Sequence, residues 1–301
     1  MGYTPNRIAQ GLARRKSGAL GLVVPDIESM FYGKIVRYVD DFASRSDYQL
    51  ILAISNDRQE TEQKIIRKFL AQQVEGIIIT PVNGPVQNLA FYQELQRQKV
   101  PFAFLSSYYA QGIAPCVMAD LRQGTQLLTG HLLAQGCRNI YFLTGLPDVT
   151  TTLLRVEGFR QALSGRQPGF SDRQLLSCSR VDYADGYDQT IKLLRSGQPA
   201  DAILAINDEM ALGALNAANC LGIRVPDQLA IAGCDNVLFS STAFIPITTL
   251  DQNIAEMCRV MVNCLDEIIS QPEKRPGPGD IMPVRLIEPV LIVRNSSQRR
   301  I

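Results

Sequence analysis

The sequence predicts an α/β protein of two doubly wound parallel-sheet lobes joined by several crossovers. Three observations carry that reading. At 301 residues the chain exceeds one comfortable hydrophobic core and suits two lobes of roughly 120–150 residues each. Short apolar runs alternate along it with amphipathic stretches. The alternation also divides into two series of units, one from about residue 19 to 136 and one from about 137 to 250.

The runs that read as buried strands are 20–24, 50–54, 76–80, 102–105, 140–144, 202–206 and 229–233. Each is short, rich in β-branched residues and apolar on both parities, as a parallel strand covered on both faces should be. Helical spacing appears in Phe31, Ile35, Val39 and Phe42, then in Ile65, Ile66, Phe69 and Leu70. It returns in Leu127, Leu128 and Leu132, and in Ile254, Met257, Met261, Leu265 and Ile268. Breakers such as Pro81, Pro101 and Gly145 separate the two kinds of segment, which is the pattern of parallel doubly wound sheets. Both series open alike, with GLVVPD at 21–26 and FLTGLPD at 142–148. After the second series come a helix at 253–270, a Pro/Gly-rich loop at 271–279 and alternating apolar residues from 284 to 293. A chain that builds one lobe, then the other, then returns must cross between them more than once. The predicted division is 1–17 as a separate leading segment, 18–136 with 251–280 as an N-terminal lobe, and 137–250 with 281–301 as a C-terminal lobe. Ligands of open parallel sheets sit at the carboxyl ends of the strands, so two such lobes are expected to share a cleft.

Composition narrows the function. Thirty basic residues against 29 acidic ones give the body no electrostatic reason to seek nucleic acid or an anionic membrane. The one dense basic run is Arg14-Arg15-Lys16. The seven cysteines form no CxxC pair and fit neither a disulfide framework nor a zinc site, so no metal is expected. Most lie inside apolar runs and read as small hydrophobes of a reducing compartment. The start MGYTPNRIAQ lacks the apolar core of a signal peptide, and no run approaches the ~18 apolar residues of a membrane span. A cytoplasmic protein is expected. His131 is the only histidine, sits between Leu128 and Leu132, and reads as a half-buried structural residue. Without a GxGxxG after the first strand or a Walker motif, no cofactor and no enzymatic activity are expected.

Residues 2–18, GYTPNRIAQGLARRKSG, with the strand ALGLVVPD behind them, resemble the hinge of LacI/GalR-type repressors. The resemblance continues through Pro25-Asp26 with Phe31-Tyr32, DLRQGTQLLTGHLLAQGCRNIYFLTG at 120–145 and TTLLRVEGFRQAL at 151–163. Further on it includes AINDEMALGALNAANCLGIRVPDQLAIAGCDN at 205–236, ITTLDQN at 247–253 and RLIEPVLIVRNS at 285–296. In this order and at these spacings the motifs are specific. They imply the periplasmic-binding-protein-like type I fold and an effector-sensing core. The leading segment then reads as a hinge remnant lacking the helix-turn-helix headpiece that precedes it in the family.

The resemblance also implies roles. Leu12 matches the hinge leucine that wedges into the DNA minor groove, with Arg14 and Arg15 near phosphates, roles of the full-length protein on its operator. In the first lobe, Asp26 is either a ligand acceptor or a helix cap. One of Phe31 and Tyr32 is expected to stack on the ligand and the other to face the core. Asp120 either bonds a ligand hydroxyl or caps the helix beginning near Gln123. In the second lobe, Arg155 matches the family's effector-contacting arginine, whose fork of donors suits vicinal hydroxyls, a carboxylate or a phosphate. Thr151 lies four residues earlier. Asp208 reads as a helix cap, leaving Asn207 for the ligand. Asp235 and Gln252 complete the set, and Cys234 stands where relatives usually carry an aromatic residue. Carboxylates, an arginine, amides and an aromatic platform suit a sugar or sugar derivative.

The predicted function is therefore an allosteric sensor that binds a small carbohydrate effector and transmits lobe closure to the hinge. The expected partners are a second copy of the chain, through a face that includes the helix after Phe31, and operator DNA only when a headpiece is present. The alternatives are an exported-type solute-binding protein of the same fold and an α/β enzyme.

Overall fold

The computed structural model describes residues 17–84, 88–110, 112–164, 171–275, 280 and 282–299. They fall into two units. The first takes in the described residues up to Met118 with Ile254–Leu286, and the second Ala119–Asn253 with the described part of Ile287–Ile301.

The chain begins with β1 (Ala19–Val24), α1 (Met30–Arg45), β2 (Gln49–Ile54), α2 (Gln59–Ala71), β3 (Gly76–Ile79), α3 (Leu89–Arg97), β4 (Phe102–Leu105) and β5 (Cys116–Ala119). Strands β1 to β5 pair in parallel, with Val23 opposite Ala53 and Ile79, and Ile78 opposite Ala103. β1 is buried along its whole length, as a central strand covered on both faces must be. Gly21 is there because α2 packs against it. A Cβ at that position would come within 2.4 Å of the Phe69 ring.

The second unit follows with α4 (Leu121–Ala134), β6 (Ile140–Thr144), α5 (Thr150–Leu163), β7 (Leu175–Ser177), α6 (Tyr183–Arg195), β8 (Ala202–Ala205), α7 (Asp208–Cys220), β9 (Ala230–Ala232), α8 (Leu238–Thr242) and β10 (Thr249–Asp251). Its parallel sheet runs β7-β6-β8-β9. The chain then returns to the first unit as α9 (Ile254–Ser270) and β11 (Val284–Ile287), and to the second as β12 (Val290–Ile292). β11 takes the edge of the first sheet, whose order is β11-β5-β4-β3-β1-β2, and β12 pairs antiparallel with β10.

The seven expected strands are β1 to β4, β6, β8 and β9, with ends shifted by no more than a residue. The boundaries between units differ from the expected ones. α4 belongs with the second unit, because Leu128 and Leu132 join the buried cluster of Phe142 and Phe159. The approach of α4 to α5 is close: a Cβ on Gly158 would lie 2.2 Å from the Arg122 carbonyl oxygen. The apolar run 284–293 is two strands serving two sheets, interrupted at Glu288-Pro289, where proline cannot donate to a ladder. Asp251 likewise sits in β10 with the second unit, where β10 has its partner.

Candidate functional site

In the second unit the carboxyl ends of β6, β8 and β9 deliver three loops, and the turn after β10 a fourth. Arg155 lies in the second turn of α5. Its Nη1 donates to the Thr151 carbonyl at 3.3 Å and its Nη2 reaches Cys234 Sγ at 3.9 Å. Among the described residues it forms no ion pair within 4.0 Å. Gln252 Nε2 donates to Asp235 Oδ1 at 2.5 Å and to Cys234 Sγ at 3.6 Å. Cys234, Asp235 and Gln252 are all buried. Three residues read from the sequence as ligand contacts, Arg155, Asp235 and Gln252, thus meet around one thiol, and Thr151 supports the arginine through its backbone.

A second layer holds that loop. Asp208 accepts from the Thr249 hydroxyl at 2.6 Å and from the Val237 amide at 3.0 Å. Asn236 donates to Asp251 at 2.9 Å and accepts from Arg294 at 2.5 Å. Asn207 caps α7: its side chain accepts from the Met210 amide at 2.8 Å while Nδ2 donates to the Val181 carbonyl at 2.8 Å. This reverses the sequence reading of the Asn207-Asp208 pair. Asn207 is the cap, and Asp208 is drawn inward by Thr249, a partner invisible in local sequence.

The backbone here is strained. Asp235 has φ 108°, Asn236 φ 47° and the β-branched Val181 φ 59°. In the first unit Asn56, Asp57 and Ser106 follow strand ends with φ of 52°, 53° and 68°. Side-chain-bearing residues in the left-handed region cost free energy and collect where function over-determines the backbone. Electrostatics is strained too. Burial pushes the Asp235 carboxyl up to about 6, against the pull of Arg155 and of hydrogen bonds from Gln252 and Cys234. Burial, then the charge of Asp235, pushes Asp208 up to about 8. Burial also raises the Cys234 thiol well above its ordinary range, so it keeps its proton.

In the first unit the Asp26 carboxylate accepts from the Glu28 and Ser29 amides at 2.8 and 3.2 Å, closing the turn ahead of α1. Phe31 and Tyr32 meet edge to face at 5.2 Å, and both are half-buried, so neither is the fully buried core residue that the sequence led one to expect. The Tyr32 hydroxyl accepts from Asn83 Nδ2 at 3.1 Å, and the Asn83 amide donates to Asp57 at 2.7 Å. Asp57 and Asn83 escaped the sequence reading, although an Asn-Asp pair closing a strand and an Asn-Gly turn were the available signals. Asp120 caps α4, accepting from the Gln123 amide at 2.9 Å, which is one of the two roles open to it. Its side chain joins none of the others named. Leu12, Arg14 and Arg15 lie outside the described residues.

His131 is half-buried on α4, with Nε2 at 2.7 Å from the Ser297 hydroxyl, the structural role expected of it. Among the described residues no cluster of three or more His, Cys, Asp or Glu could hold a metal ion, and no helix is long and apolar enough to cross a membrane.

Comparison with known proteins agrees with this architecture. The periplasmic binding protein-like domain family matches residues 129–297. The chain is similar to the ribose operon repressor of Halalkalibacterium halodurans, at 30% identity over 276 residues, which covers 92% of this chain and 79% of that protein. Among solved structures it resembles the lac repressor dimer bound to operator and the anti-inducer ONPF, with a TM-score of 0.83 and 25% identity over 98% of this chain and 99% of that one. It also resembles a LacI family transcriptional regulator from Enterococcus faecium with bound ribose, with a TM-score of 0.78 and 25% identity over 93% and 98% of the two chains. Strand order, the polar set at the strand ends and these likenesses agree, and the chain belongs to the LacI family of transcription regulators, with a periplasmic-binding-protein-like domain as its body.

Proposed function

We propose that the chain is the effector-sensing and dimerisation core of its regulator and that the effector is a small carbohydrate. The carrying observation is the run of contacts from Arg155 to the Cys234 thiol, from Gln252 to that thiol and from Gln252 to the Asp235 carboxylate, a cation and a carboxylate that make no ion pair within 4.0 Å. A hydroxyl both donates and accepts, so a polyol suits a place between a guanidinium and a carboxylate. Within the second unit Thr151 is assigned to the same effector, whereas Asp120 and Asn207 serve as helix caps. In the first unit Asp26 and the aromatic pair Phe31 and Tyr32 have the chemistry that suits a sugar, the pair offering a surface for an apolar ring face. The choice of sugar is supported by the relative that is a ribose operon repressor and by the neighbour that holds ribose.

In this reading the protein acts in the cytoplasm as a homodimer, as the similar lac repressor is a dimer in its structure. The interface is assigned to the face that includes α1 in the first unit and, in the second unit, to the exposed apolar side chains of Tyr183, Leu238 and Phe244. Operator DNA is bound only together with a helix-turn-helix headpiece, Leu12 then serving as wedge and Arg14 and Arg15 as phosphate contacts. No cofactor, metal or catalysis enters.

The test is a fusion of the chain to a helix-turn-helix headpiece, assayed on operator DNA against a panel of pentoses and hexoses. The fusion should bind with steep salt dependence, and one sugar should change its affinity. Tight operator binding by the chain alone, or turnover of the sugar by the purified protein, would overturn the reading.

A further inference from the structure

The last residues of the second unit reach back to the loop that carries Asp235, and one of them takes hold of it. Arg294 lies two residues beyond β12, half-buried, with its main chain pinned to Thr248. Its amide donates to Thr248 Oγ1 at 2.8 Å, and its carbonyl accepts from that hydroxyl at 2.9 Å. The guanidinium then spreads over three neutral acceptors. Nη1 donates to the Ser240 hydroxyl at 3.0 Å and to the Ile247 carbonyl at 2.8 Å, and Nη2 donates to Asn236 Oδ1 at 2.5 Å. The Ser240 hydroxyl passes the hold on, donating to the Val237 carbonyl at 2.7 Å. Arg294 therefore grips the two residues that follow Asp235, one directly and one through Ser240.

That loop needs holding. Asp235 and Asn236 sit at φ 108° and 47°, where a residue with a side chain is strained and relaxes unless its surroundings fix it. The Asn236 amide lies between opposite charges, accepting from the Arg294 cation and donating to Asp251 Oδ2 at 2.9 Å. Its orientation is thereby set, since a flipped amide would turn its NH2 on the guanidinium and its oxygen on the carboxylate. A planar fork of donors serves acceptors in three directions from one stem. The consequence falls on Asp235, whose Oδ1 accepts from Gln252 Nε2 at 2.5 Å. We propose that Arg294 is a positioning residue for Asp235: through Asn236 and Ser240 it holds the strained turn that sets the carboxylate against Gln252, where an effector hydroxyl meets it.

The link to the effector rests on the reading of Asp235 as an effector contact, but the positioning itself can be tested without any effector. Solvent exchange of the Gln252 side-chain amide, followed by nitrogen-15 NMR and assigned by its loss in Gln252→Met, reports whether the carboxylate is in place. Arg294→Met keeps the stem and removes the three donated bonds, while those of Asp208 to Thr249 and Val237 remain to anchor the loop. Arg299→Met is the control. Arg299 also ties the chain end to carbonyls, of Pro226 at 3.2 Å and Asp201 at 2.5 Å, but its bonds go to none of residues 234–237. Measured against the backbone amides of Phe142 and Ile203 in the same sample, Gln252 exchange should rise about tenfold or more in Arg294→Met and stay within about twofold of wild type in Arg299→Met. Exchange unchanged in Arg294→Met, or raised alike in both variants, would overturn the inference.

Should the methionine variant fail to fold, Arg294→Lys takes its place under the same criterion, because one ammonium on that stem cannot serve Ser240, Ile247 and Asn236 together. A sugar that binds gives a second measurement. Arg294→Met should lower its affinity about tenfold in wild type and less than about twofold in an Asp235→Ala background, where no carboxylate is left to position. Equal losses in the two backgrounds would assign the arginine to the stability of the whole unit and equally overturn the inference. Failure of every sugar to bind would sink the effector reading and leave the exchange result standing.

Discussion

Glu62 provides the most quantitative test of how the first unit is built. It lies on α2, fully buried, with the Tyr92 hydroxyl bonded to one carboxylate oxygen and the Tyr109 hydroxyl at 2.9 Å from the other. Tyr109 also accepts from the Val82 amide at 3.0 Å, so the carboxylate anchors the loop after β3 that carries Asn83. Among the described residues no basic side chain lies within 4.0 Å of it. Burial raises its pKa from 4.5 to about 7, outweighing the two tyrosine hydrogen bonds, and the charge of Asp57 adds to the rise. The protonated form is thus favoured by folding, and its contribution is fully present below the ordinary 4.5 and lost as pH rises through about 7. At about 1.4 kcal/mol per tenfold the whole effect is about 3.5 kcal/mol, of which about 2.5 kcal/mol falls between about pH 5 and about pH 8. Glu62→Gln fixes a neutral group of the same shape and removes this dependence. Urea unfolding followed by circular dichroism, apt for a chain without tryptophan, should show wild type losing that amount relative to Glu62→Gln across the interval. Parallel pH profiles, agreeing within about 0.5 kcal/mol, would refute the buried and unpaired carboxylate.

Three further outcomes follow from packing, capping and exposed surface. Gly158→Ala should destabilise the second unit by about 2 kcal/mol or more in the same unfolding assay, because the new methyl meets the backbone of Arg122 rather than a yielding side chain. Asn207→Ala should cost about 1 kcal/mol for the lost cap of α7, and more if its bond to Val181 is what holds that residue at positive φ, while Asn207→Asp should restore the capping share alone. Leu238→Asp with Phe244→Asp should convert a dimer to a monomer in sedimentation velocity without lowering the melting temperature of the monomer. A dimer that survives both changes would place the interface elsewhere.

Much of the fold was legible because it depends on local pattern. A parallel strand buried on both faces is an apolar run of four to six residues, and β1, β3, β6 and β8 announce themselves that way. Three-residue strands such as β7 and β10 have too little sequence to show a period, and β10 exists because β12 returns to pair with it. The Leu127–Leu128–Leu132 stripe identified α4 as a helix but could not say which sheet it would cover. That choice came from Gly158, which lets α5 approach it.

The site divides similarly. Arg155, Asp235 and Gln252 lie beyond the carboxyl ends of β6, β9 and β10, and hydrogen bonds link Arg155 to Cys234 and Gln252 to both Cys234 and Asp235. Glu62 was hidden inside QETEQKIIRKF, where no local signal sets it apart from the neighbouring charges; Tyr92 and Tyr109, which bond it, are distant in sequence. Asp208 was misread for the same reason. Its decisive partner, Thr249, is far along the chain.

The central claim is that Arg155 and Asp235 hold a sugar. Calorimetric titration tests it most directly, using whichever member of a pentose and hexose panel raises the melting temperature most, against wild type, Arg155→Ala and Asp235→Asn. The account predicts one site per chain and a loss of affinity in each variant of about 100-fold, about 3 kcal/mol, as expected when a buried charged partner of a ligand hydroxyl is removed. Binding of undiminished affinity in both variants would contradict it.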